Sequence, residues 1–112
     1  MQFSDYEREA SQYVFYPNET QMSVGLMYNA LKMSGEVGEF NDKLGKCISN
    51  KCGVIDQDLK DELIKELGDI LWHFTRCVNE LGTNIDYVAM RNLGKLASRQ
   101  KRDKLSGSGD NR

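Results

Sequence analysis

The chain has 112 residues, of which 39% are hydrophobic and 29% charged, and its formal net charge at pH 7 is −2. This size and composition indicate one globular domain with a single core and exclude a chain built of several domains. No apolar run approaches the about 20 residues that a membrane-spanning helix needs, and the N-terminal MQFSDYERE lacks the basic and apolar segments of a secretory signal. We therefore expect a cytoplasmic protein with no membrane partner.

The cysteines argue against a zinc-binding protein, and the charge distribution argues against a protein whose main partner is nucleic acid. The three cysteines are odd in number, and with the single His73 they offer too few well-spaced ligands for a zinc site. Reduced structural thiols are expected. The first 97 residues carry 15 acidic and 10 basic side chains, whereas the last 15 residues carry two acidic and five basic ones. The acidic body argues against nucleic acid as the main partner, although the basic end leaves open a weak nucleic-acid contact or closure over an anionic small molecule.

Helical periodicity runs through nearly the whole chain. Four helices are predicted, in these ranges: from Ser4 to before Pro17, from after Thr20 to about Ser49, from about Gln57 to Leu81, and from Asn84 or Asp86 to about Lys101. The first start rests on Ser4-x-x-Glu7, which has the spacing of a capping box. Residues 50–56 contain Gly53 and are expected to form a turn. The prediction is thus one all-α domain over residues 1–102, followed by a flexible tail over residues 103–112.

The second and third predicted helices each carry an apolar stripe with steps of three or four residues, as a buried helix face requires. The stripe of the second helix consists of Met22, Leu26, Ala30, Met33, Val37, Phe40, Leu44 and Ile48. The stripe of the third helix consists of Leu59, Leu63, Leu67, Ile70, Phe74, Cys77 and Leu81. Because a short turn joins the two helices, we expect them to form a central antiparallel hairpin within a bundle.

Each of these two helices also carries a pair of acidic residues three positions apart, Glu36 with Glu39 and Glu66 with Asp69. At about 100° per residue, both pairs fall on the same edge of their apolar stripes. Two facing antiparallel helices are related by a twofold axis, which brings the pairs to the same flank of the hairpin. Both pairs are also equally far from the predicted turn. We therefore expect four carboxylates to meet at one level beside the core.

Such a cluster is unfavourable unless a cation neutralises it, since like charges one helical turn apart already cost about 0.2–0.5 kcal/mol per pair. Oxygen-only ligands select hard cations, which predicts Mg²⁺, with Mn²⁺ as a substitute. The alternative is a solvated face on which Lys32, Lys43 and Lys65 pair with acidic residues four positions away. Gly35 and Gly38 favour the metal site, because a glycine inside a helix costs about 1 kcal/mol and implies close approach of another backbone or a ligand.

The acidic pairs are similar to the signature of a known family. Glu36-x-x-Glu39 and Glu66-x-x-Asp69 are separated by 26 residues and lie in the segments SGEVGEFNDKL and KELGDILWHF. This pattern resembles the MazG-like branch of the all-α nucleoside triphosphate pyrophosphohydrolases. The resemblance implies a bundle of four or five helices that assembles as a homodimer or homotetramer. It also implies Mg²⁺-dependent hydrolysis of a nucleoside triphosphate between the α- and β-phosphates, which yields a nucleoside monophosphate and pyrophosphate.

The resemblance assigns roles to individual residues. The implied metal ligands are Glu36, Glu39, Glu66 and Asp69. A divalent cation lowers the pKa of a bound water, and a carboxylate that the cation does not fully engage can orient that water or take its proton. Glu39 is our candidate for this catalytic base. His73 follows Asp69 by four residues and is a candidate to support a ligand carboxylate by a hydrogen bond.

Further candidates concern the substrate. Steps of three and four place Asn92, Lys95 and Arg99 on one face of the fourth helix, where they can bind phosphates that the metal leaves uncovered. Asn92-x-x-Lys95-x-x-x-Arg99 also resembles the family's pattern after its last metal-binding helix, so Lys95 is a further candidate catalytic residue. The alternative is a solvated basic surface. Trp72 and Tyr28 are candidates to stack on a nucleobase, against the alternative of core or oligomer contacts.

Two other functions remain as alternative hypotheses to hydrolysis. One is a non-catalytic helical adaptor that oligomerises through the bundle, which has no need for clustered carboxylates. The other is a nucleic-acid-binding protein whose salt-sensitive binding depends on the basic residues 99–112. No residue predicts the base or the sugar of the preferred nucleotide.

Overall fold

The computed structural model describes residues 1–16, 23–103, 107 and 109–110. These residues form four α-helices and one short 3-10 helix, and they contain no strand. The elements are α1 (Phe3–Ala10), a 3-10 helix (Ser11–Tyr13), α2 (Val24–Lys51), α3 (Gln57–Glu80) and α4 (Ile85–Lys101). The all-α prediction is therefore confirmed. Within the described ranges, no helix combines the length and the apolar composition needed to cross a membrane.

The predicted limits of α3 and α4 agree with the structure to within about one residue, and capping groups explain why. Asp56 accepts a hydrogen bond from the Leu59 N–H at 2.9 Å before α3, and Asn84 accepts one from the Tyr87 N–H at 2.8 Å before α4. Gly82 follows α3 with a φ of 73°, a left-handed conformation that glycine adopts without the steric cost of a Cβ.

α1 begins at Phe3, one residue before the predicted start near Ser4, but the predicted capping pair of Ser4 and Glu7 is wrong. The carboxylate of Asp5 instead accepts a hydrogen bond from the Gln2 N–H at 2.9 Å. The predicted start of α2 is also wrong. α2 begins at Val24, because Ser23 has a φ of 56° and cannot continue a right-handed helix. The predictions that fall outside the described residues concern Pro17, Thr20, Met22 and most of the tail at 103–112.

The main packing contact of the described chain is between α2 and α3. Its apolar part lies next to the connecting turn and consists of Cys47, Leu59 and Leu63, with Phe40 and Leu44 packed against them. At the other end of the contact, the side chain of Asn29 in α2 meets that of His73 in α3 at 3.0 Å. Early residues of α2 therefore face late residues of α3. All three cysteines are free thiols, as expected.

Polar contacts attach the N-terminal segment to α3 and α4. Several polar side chains are buried: Asn29, His73, Thr75, Arg76 and Arg99. Arg76 donates from Nε to the Tyr16 hydroxyl at 3.0 Å, and that hydroxyl donates to the Glu80 carboxylate at 3.0 Å. Glu7 of α1 accepts a hydrogen bond from the Ile85 N–H at 3.0 Å, at the start of α4. These contacts hold α1 and the segment after it against one side of the helix pair.

The chain is more open than a compact monomer. Its radius of gyration is 17.2 Å, whereas a compact domain of this length has about 13 Å. Its accessible surface is 8259 Å², whereas a monomer of this mass exposes about 6,300 Å². The predicted burial of the two stripes is wrong at four positions of the described chain. The exposed fractions are 40% for Val37, 70% for Ile48, 50% for Leu67 and 67% for Leu81. Other exposed apolar side chains on the helices are Met27, Leu31, Ile64, Met90 and Leu93.

Candidate metal centre

Three acidic side chains meet where α2 packs against α3. Glu36 and Glu39 stand three residues apart on α2, which places them on adjacent turns of one helix edge. Glu66 approaches them from α3. One carboxylate oxygen of each residue lies within 4.8 Å of the corresponding oxygens of the other two. The structure thus brings together three of the four metal ligands predicted from the sequence.

Asp69, the fourth predicted ligand, lies outside this group of three. It follows Glu66 by about one turn of α3 and is exposed. It lines a cavity of about 210 Å³ together with Trp72 and His73. Its negative charge nevertheless contributes to raising the pKa of Glu36. Asp69 therefore borders the carboxylate cluster on the side of this cavity.

The surroundings of the cluster disfavour negative charge. Burial raises the pKa of Glu36, and the charges of Glu39, Asp69 and Glu66 raise it further. The Oε2 atoms of Glu36 and Glu66 are buried and have no hydrogen-bond partner among the described residues. Buried carboxylate oxygens without a partner are costly. An all-oxygen donor set of this kind fits a hard divalent cation such as Mg²⁺ or Mn²⁺.

His73 lies behind Glu36 in a fixed orientation. The Asn29 Nδ2 donates to the Gly25 carbonyl at 2.7 Å, which leaves the Asn29 Oδ1 to accept from the His73 Nδ1–H at 3.0 Å. The other ring nitrogen, Nε2, lies 3.9 Å from the Glu36 Oε1. Burial and the nearby charge of Lys32 lower the pKa of His73. The Nε2 edge of the imidazole therefore faces a predicted metal ligand at 3.9 Å.

The sequence predicts a supporting role for His73, which stays a prediction, and does not single out Asn29. The signal was available, because Asn29 precedes Glu36 by seven residues, about two helical turns, and so lies on the same face of α2. It is fully buried. A polar side chain at that position requires a partner, which His73 provides.

A groove of about 640 Å³ leads from the cluster towards the turn between α2 and α3. Glu39 and Glu66 line it near the cluster, and Lys51 lines it near the turn. Gly35 and Gly38 also line it, and a Cβ at either position would meet no atom of the described chain within 4 Å. Among the described residues no other backbone approaches these glycines, so of the two predicted explanations the approach of a ligand stays a prediction. The two glycines widen the groove beside the cluster.

If the acidic pairs lay on a solvated helix face, Lys32 and Lys43 would pair with acidic residues four positions away. In the structure, both lysines make other contacts. The Lys43 Nζ lies 3.9 Å from Glu62 and 3.7 Å from Glu66, both on α3. The Lys32 Nζ lies 6.0 Å from the centre of the Tyr28 ring. Lys43 therefore faces acidic residues of α3 rather than Glu39 of its own helix, whereas Lys32 lies over Tyr28 of α2.

Trp72 and Tyr28 belong to one aromatic cluster. Trp72 stacks on Phe15 with ring centres 6.0 Å apart, and Tyr28 stacks on Tyr16 with ring centres 5.4 Å apart. The Trp72 indole N–H also donates to the Ala10 carbonyl at 3.3 Å. Both rings thus pack on the segment that follows α1, as the alternative of core contacts predicts. Trp72 additionally lines the 210 Å³ cavity beside the carboxylates.

The predicted phosphate-binding residues of α4 have a different environment. Asn92 and Lys95 line a cavity of about 820 Å³ that shares no lining residue with the groove. The Lys95 Nζ lies 3.0 Å from the Asp110 Oδ1, and the buried Arg99 donates to the Asp110 carbonyl at 2.8 Å. The described contacts of Lys95 and Arg99 are therefore with the C-terminal segment and not with the carboxylate cluster.

Comparison with known proteins identifies the family. The model of the MazG nucleotide pyrophosphohydrolase domain matches residues 27–103, which include both acidic pairs and the polar stripe of α4. The chain belongs to this family. The Gene 37 protein of Mycobacterium phage L5 is 39% identical to this chain over 109 residues, which cover 96% of each protein. No solved structure matches this chain.

In this MazG domain, the substitution Glu36→Gln is expected to separate charge repulsion from metal binding. In the presence of a chelator, the variant should melt about 4 °C above the wild type, a shift that corresponds to about 1 kcal/mol in a domain of this size, because one like charge is removed. In millimolar Mg²⁺, the wild type should gain stability and the variant should not. Thermal unfolding followed by circular dichroism measures both effects.

The matched control is Glu9→Gln, which removes an exposed carboxylate of α1 that lies outside the cluster. It should leave the Mg²⁺-dependent gain in melting temperature unchanged. A Glu36→Gln variant that retains the wild-type gain would contradict the assignment of Glu36 to a metal site.

Proposed function

We propose that this protein hydrolyses nucleoside triphosphates between the α- and β-phosphates, to a nucleoside monophosphate and pyrophosphate. The observation that supports this most is the meeting of Glu36, Glu39 and Glu66 beside an open groove. Membership of the MazG nucleotide pyrophosphohydrolase family gives that cluster a chemical context. Neither an adaptor nor a nucleic-acid-binding protein requires three clustered carboxylates, two of which have a buried oxygen without a hydrogen-bond partner among the described residues.

In this proposal, Glu36, Glu39, Glu66 and Asp69 hold Mg²⁺, for which Mn²⁺ can substitute. When bound, the cation offsets phosphate charge and lowers the pKa of a coordinated water. Glu36 and Glu66 supply the partly buried oxygens of the set, and Asp69 supplies an exposed one next to the cavity. His73 borders the Glu36 side chain on the opposite side, with its Nε2 3.9 Å from the Glu36 Oε1.

Glu39 is the proposed catalytic base. It is the exposed member of the three clustered carboxylates, whereas Glu36 and Glu66 are partly buried. It also lines the groove, so its carboxylate can accept a proton from a water that enters there. The proton passes from the water to the Glu39 carboxylate as the water oxygen attacks the α-phosphorus, and the bond from that phosphorus to the α–β bridging oxygen breaks, so that pyrophosphate leaves.

Residues of α4 and the aromatic cluster complete the proposed substrate site. Asn92, Lys95 and Arg99 bind the triphosphate, and Lys95 acts as a further catalytic residue by contacting the reacting phosphates. In the described chain the charges of Lys95 and Arg99 face Asp110, a carboxylate whose place a phosphate oxygen can take. Trp72 stacks on the nucleobase, since its ring lines the cavity next to the carboxylates.

We also propose that the protein is a homodimer or homotetramer built on a central antiparallel hairpin of α2 and α3. The described chain exposes about 2,000 Å² more surface than a compact monomer of its mass, and stable interfaces bury areas of that order. The exposed apolar residues Leu31, Ile64 and Leu67 lie on this hairpin. Burial against a second copy would remove them from water.

Sedimentation equilibrium at micromolar concentration tests the assembly. The expected mass is twice or four times the 12.8 kDa of one chain. The substitution Leu67→Lys should shift the equilibrium towards smaller species, because it places a charge on a half-exposed apolar position of α3. A wild-type protein that sediments as a monomer at these concentrations would contradict the proposed assembly.

Product analysis in H₂¹⁸O tests the reaction. With Mg²⁺ and a panel of canonical, deoxy and damaged triphosphates, the wild type should release pyrophosphate from at least one and place ¹⁸O in the monophosphate. Glu36→Gln and Asp69→Asn should each lower the rate by more than about 100-fold, because even residues that only support metal ligands are worth 10–100-fold. Mass spectrometry of both products measures the label.

The competing functions predict other results. An adaptor gives no pyrophosphate from any triphosphate and no change in melting temperature with Mg²⁺. A nucleic-acid-binding protein gives salt-sensitive binding that is lost when residues 99–112 are removed. Hydrolysis with ¹⁸O in the pyrophosphate would place the attack on the β-phosphorus and would contradict the proposed reaction.

A further inference from the structure

Three lysines of α2 line the groove, and two of them are engaged in close ion pairs. The Lys46 Nζ lies 2.9 Å from the Asp42 Oδ2, and the Lys51 Nζ lies 2.8 Å from the Asp56 Oδ2. Neither of these carboxylates belongs to the metal cluster. Both ammonium groups therefore have an acceptor at hydrogen-bond distance outside the candidate site.

Lys43, the third lysine, stands beside the cluster and makes longer contacts. Its Nζ lies 3.7 Å from the Glu66 Oε1 and 3.9 Å from the Glu62 Oε2, and both distances exceed that of a hydrogen bond. Only 31% of its side chain is exposed, so the ammonium is held within the groove. The charge of Lys43 therefore faces a predicted metal ligand from the side on which substrate would enter.

We propose that Lys43 binds a phosphate group of the substrate and changes partner when metal binds. In the metal-free chain its ammonium neutralises part of the Glu66 charge. If Glu66 held a cation, the Lys43 ammonium would be repelled from that carboxylate and would pair with a phosphate oxygen in the groove. Lys43 gives up no hydrogen-bonded acceptor in this exchange, in contrast to Lys46 and Lys51. This role rests on the proposed hydrolysis of triphosphates.

If Lys43 changes partner in this way, one substitution should strengthen metal binding and weaken hydrolysis. Lys43→Met removes a positive charge next to Glu66, so the nucleotide-free protein should bind Mn²⁺ about three- to tenfold more tightly. The same variant should lose about 10- to 100-fold in kcat/KM for triphosphate hydrolysis, because a charge-assisted hydrogen bond to phosphate is lost. Lys43→Arg keeps the charge and should recover most of that activity. A purely structural role for Lys43 would weaken both Mn²⁺ binding and activity.

The experiment measures Mn²⁺ binding by electron paramagnetic resonance without nucleotide, and pyrophosphate release in a separate assay. The matched control is Lys60→Met, which removes an exposed lysine of α3 that does not line the groove. It should match the wild type in both measurements. Circular dichroism establishes that each variant is folded.

A Lys43→Met variant with tighter Mn²⁺ binding and lower kcat/KM supports the exchange. Unchanged or weaker Mn²⁺ binding, or an unchanged kcat/KM, overturns it. The wild type distinguishes this failure from that of the proposed function. If the wild type releases pyrophosphate while Lys43→Met behaves like Lys60→Met, only the role of Lys43 is wrong. If the wild type hydrolyses no triphosphate, both proposals are wrong.

Discussion

Electrostatic repulsion among carboxylates is the constraint around which this fold is organised. Glu36, Glu39 and Glu66 have oxygens within 4.8 Å of one another, in a seam where burial raises the pKa of Glu36. The opposing force is the packing of α2 on α3, through apolar residues such as Cys47 and Leu63 near the turn. The helix pair therefore holds together charges that would separate in a flexible chain, which is the arrangement a bound cation stabilises.

The described residues around α2 and α3 hold the two helices in position through polar contacts but leave much of their apolar surface uncovered. Asn29 and His73 form a polar contact between the helices behind Glu36, and the Tyr16 hydroxyl connects Arg76 with Glu80. These polar contacts fix how the packed segments are oriented, but they bury little apolar surface. As a result, one chain by itself leaves much of its apolar surface in water. An assembly of copies would supply the burial that the single chain lacks.

The limits of α3 and α4 and the meeting of three acidic residues could be predicted because they depend on local signals. A capping residue such as Asn84 acts within one turn, and helical periodicity fixes which edge Glu36 and Glu66 occupy. The start of α2 could not be predicted, because the left-handed conformation of Ser23 has no sequence signal comparable to a glycine. Periodicity also overestimated burial at Leu67, since it shows that a face is apolar but not which partner covers it.

The supporting contacts of the site could be predicted only in part, because they join residues distant in sequence. His73 was found from its spacing to Asp69, but its contact with Asn29 spans 44 positions. The pairing of Lys43 with Glu66 across the groove was likewise missed, since spacing alone favours Glu39 in the same helix. Such contacts depend on the rotation and separation of two packed helices, which local patterns leave undetermined.

The most direct test of the account is a calorimetric titration of the nucleotide-free protein with Mn²⁺, for the wild type and for single variants. The variants that remove one carboxylate charge each are Glu36→Gln, Glu39→Gln, Glu66→Gln and Asp69→Asn. We expect saturable Mn²⁺ binding by the wild type and weaker binding by all four variants. Asp61→Asn, which changes an exposed carboxylate of α3 outside the site, should bind like the wild type. A wild type without saturable binding, or a Glu66→Gln variant with wild-type affinity, would contradict the account.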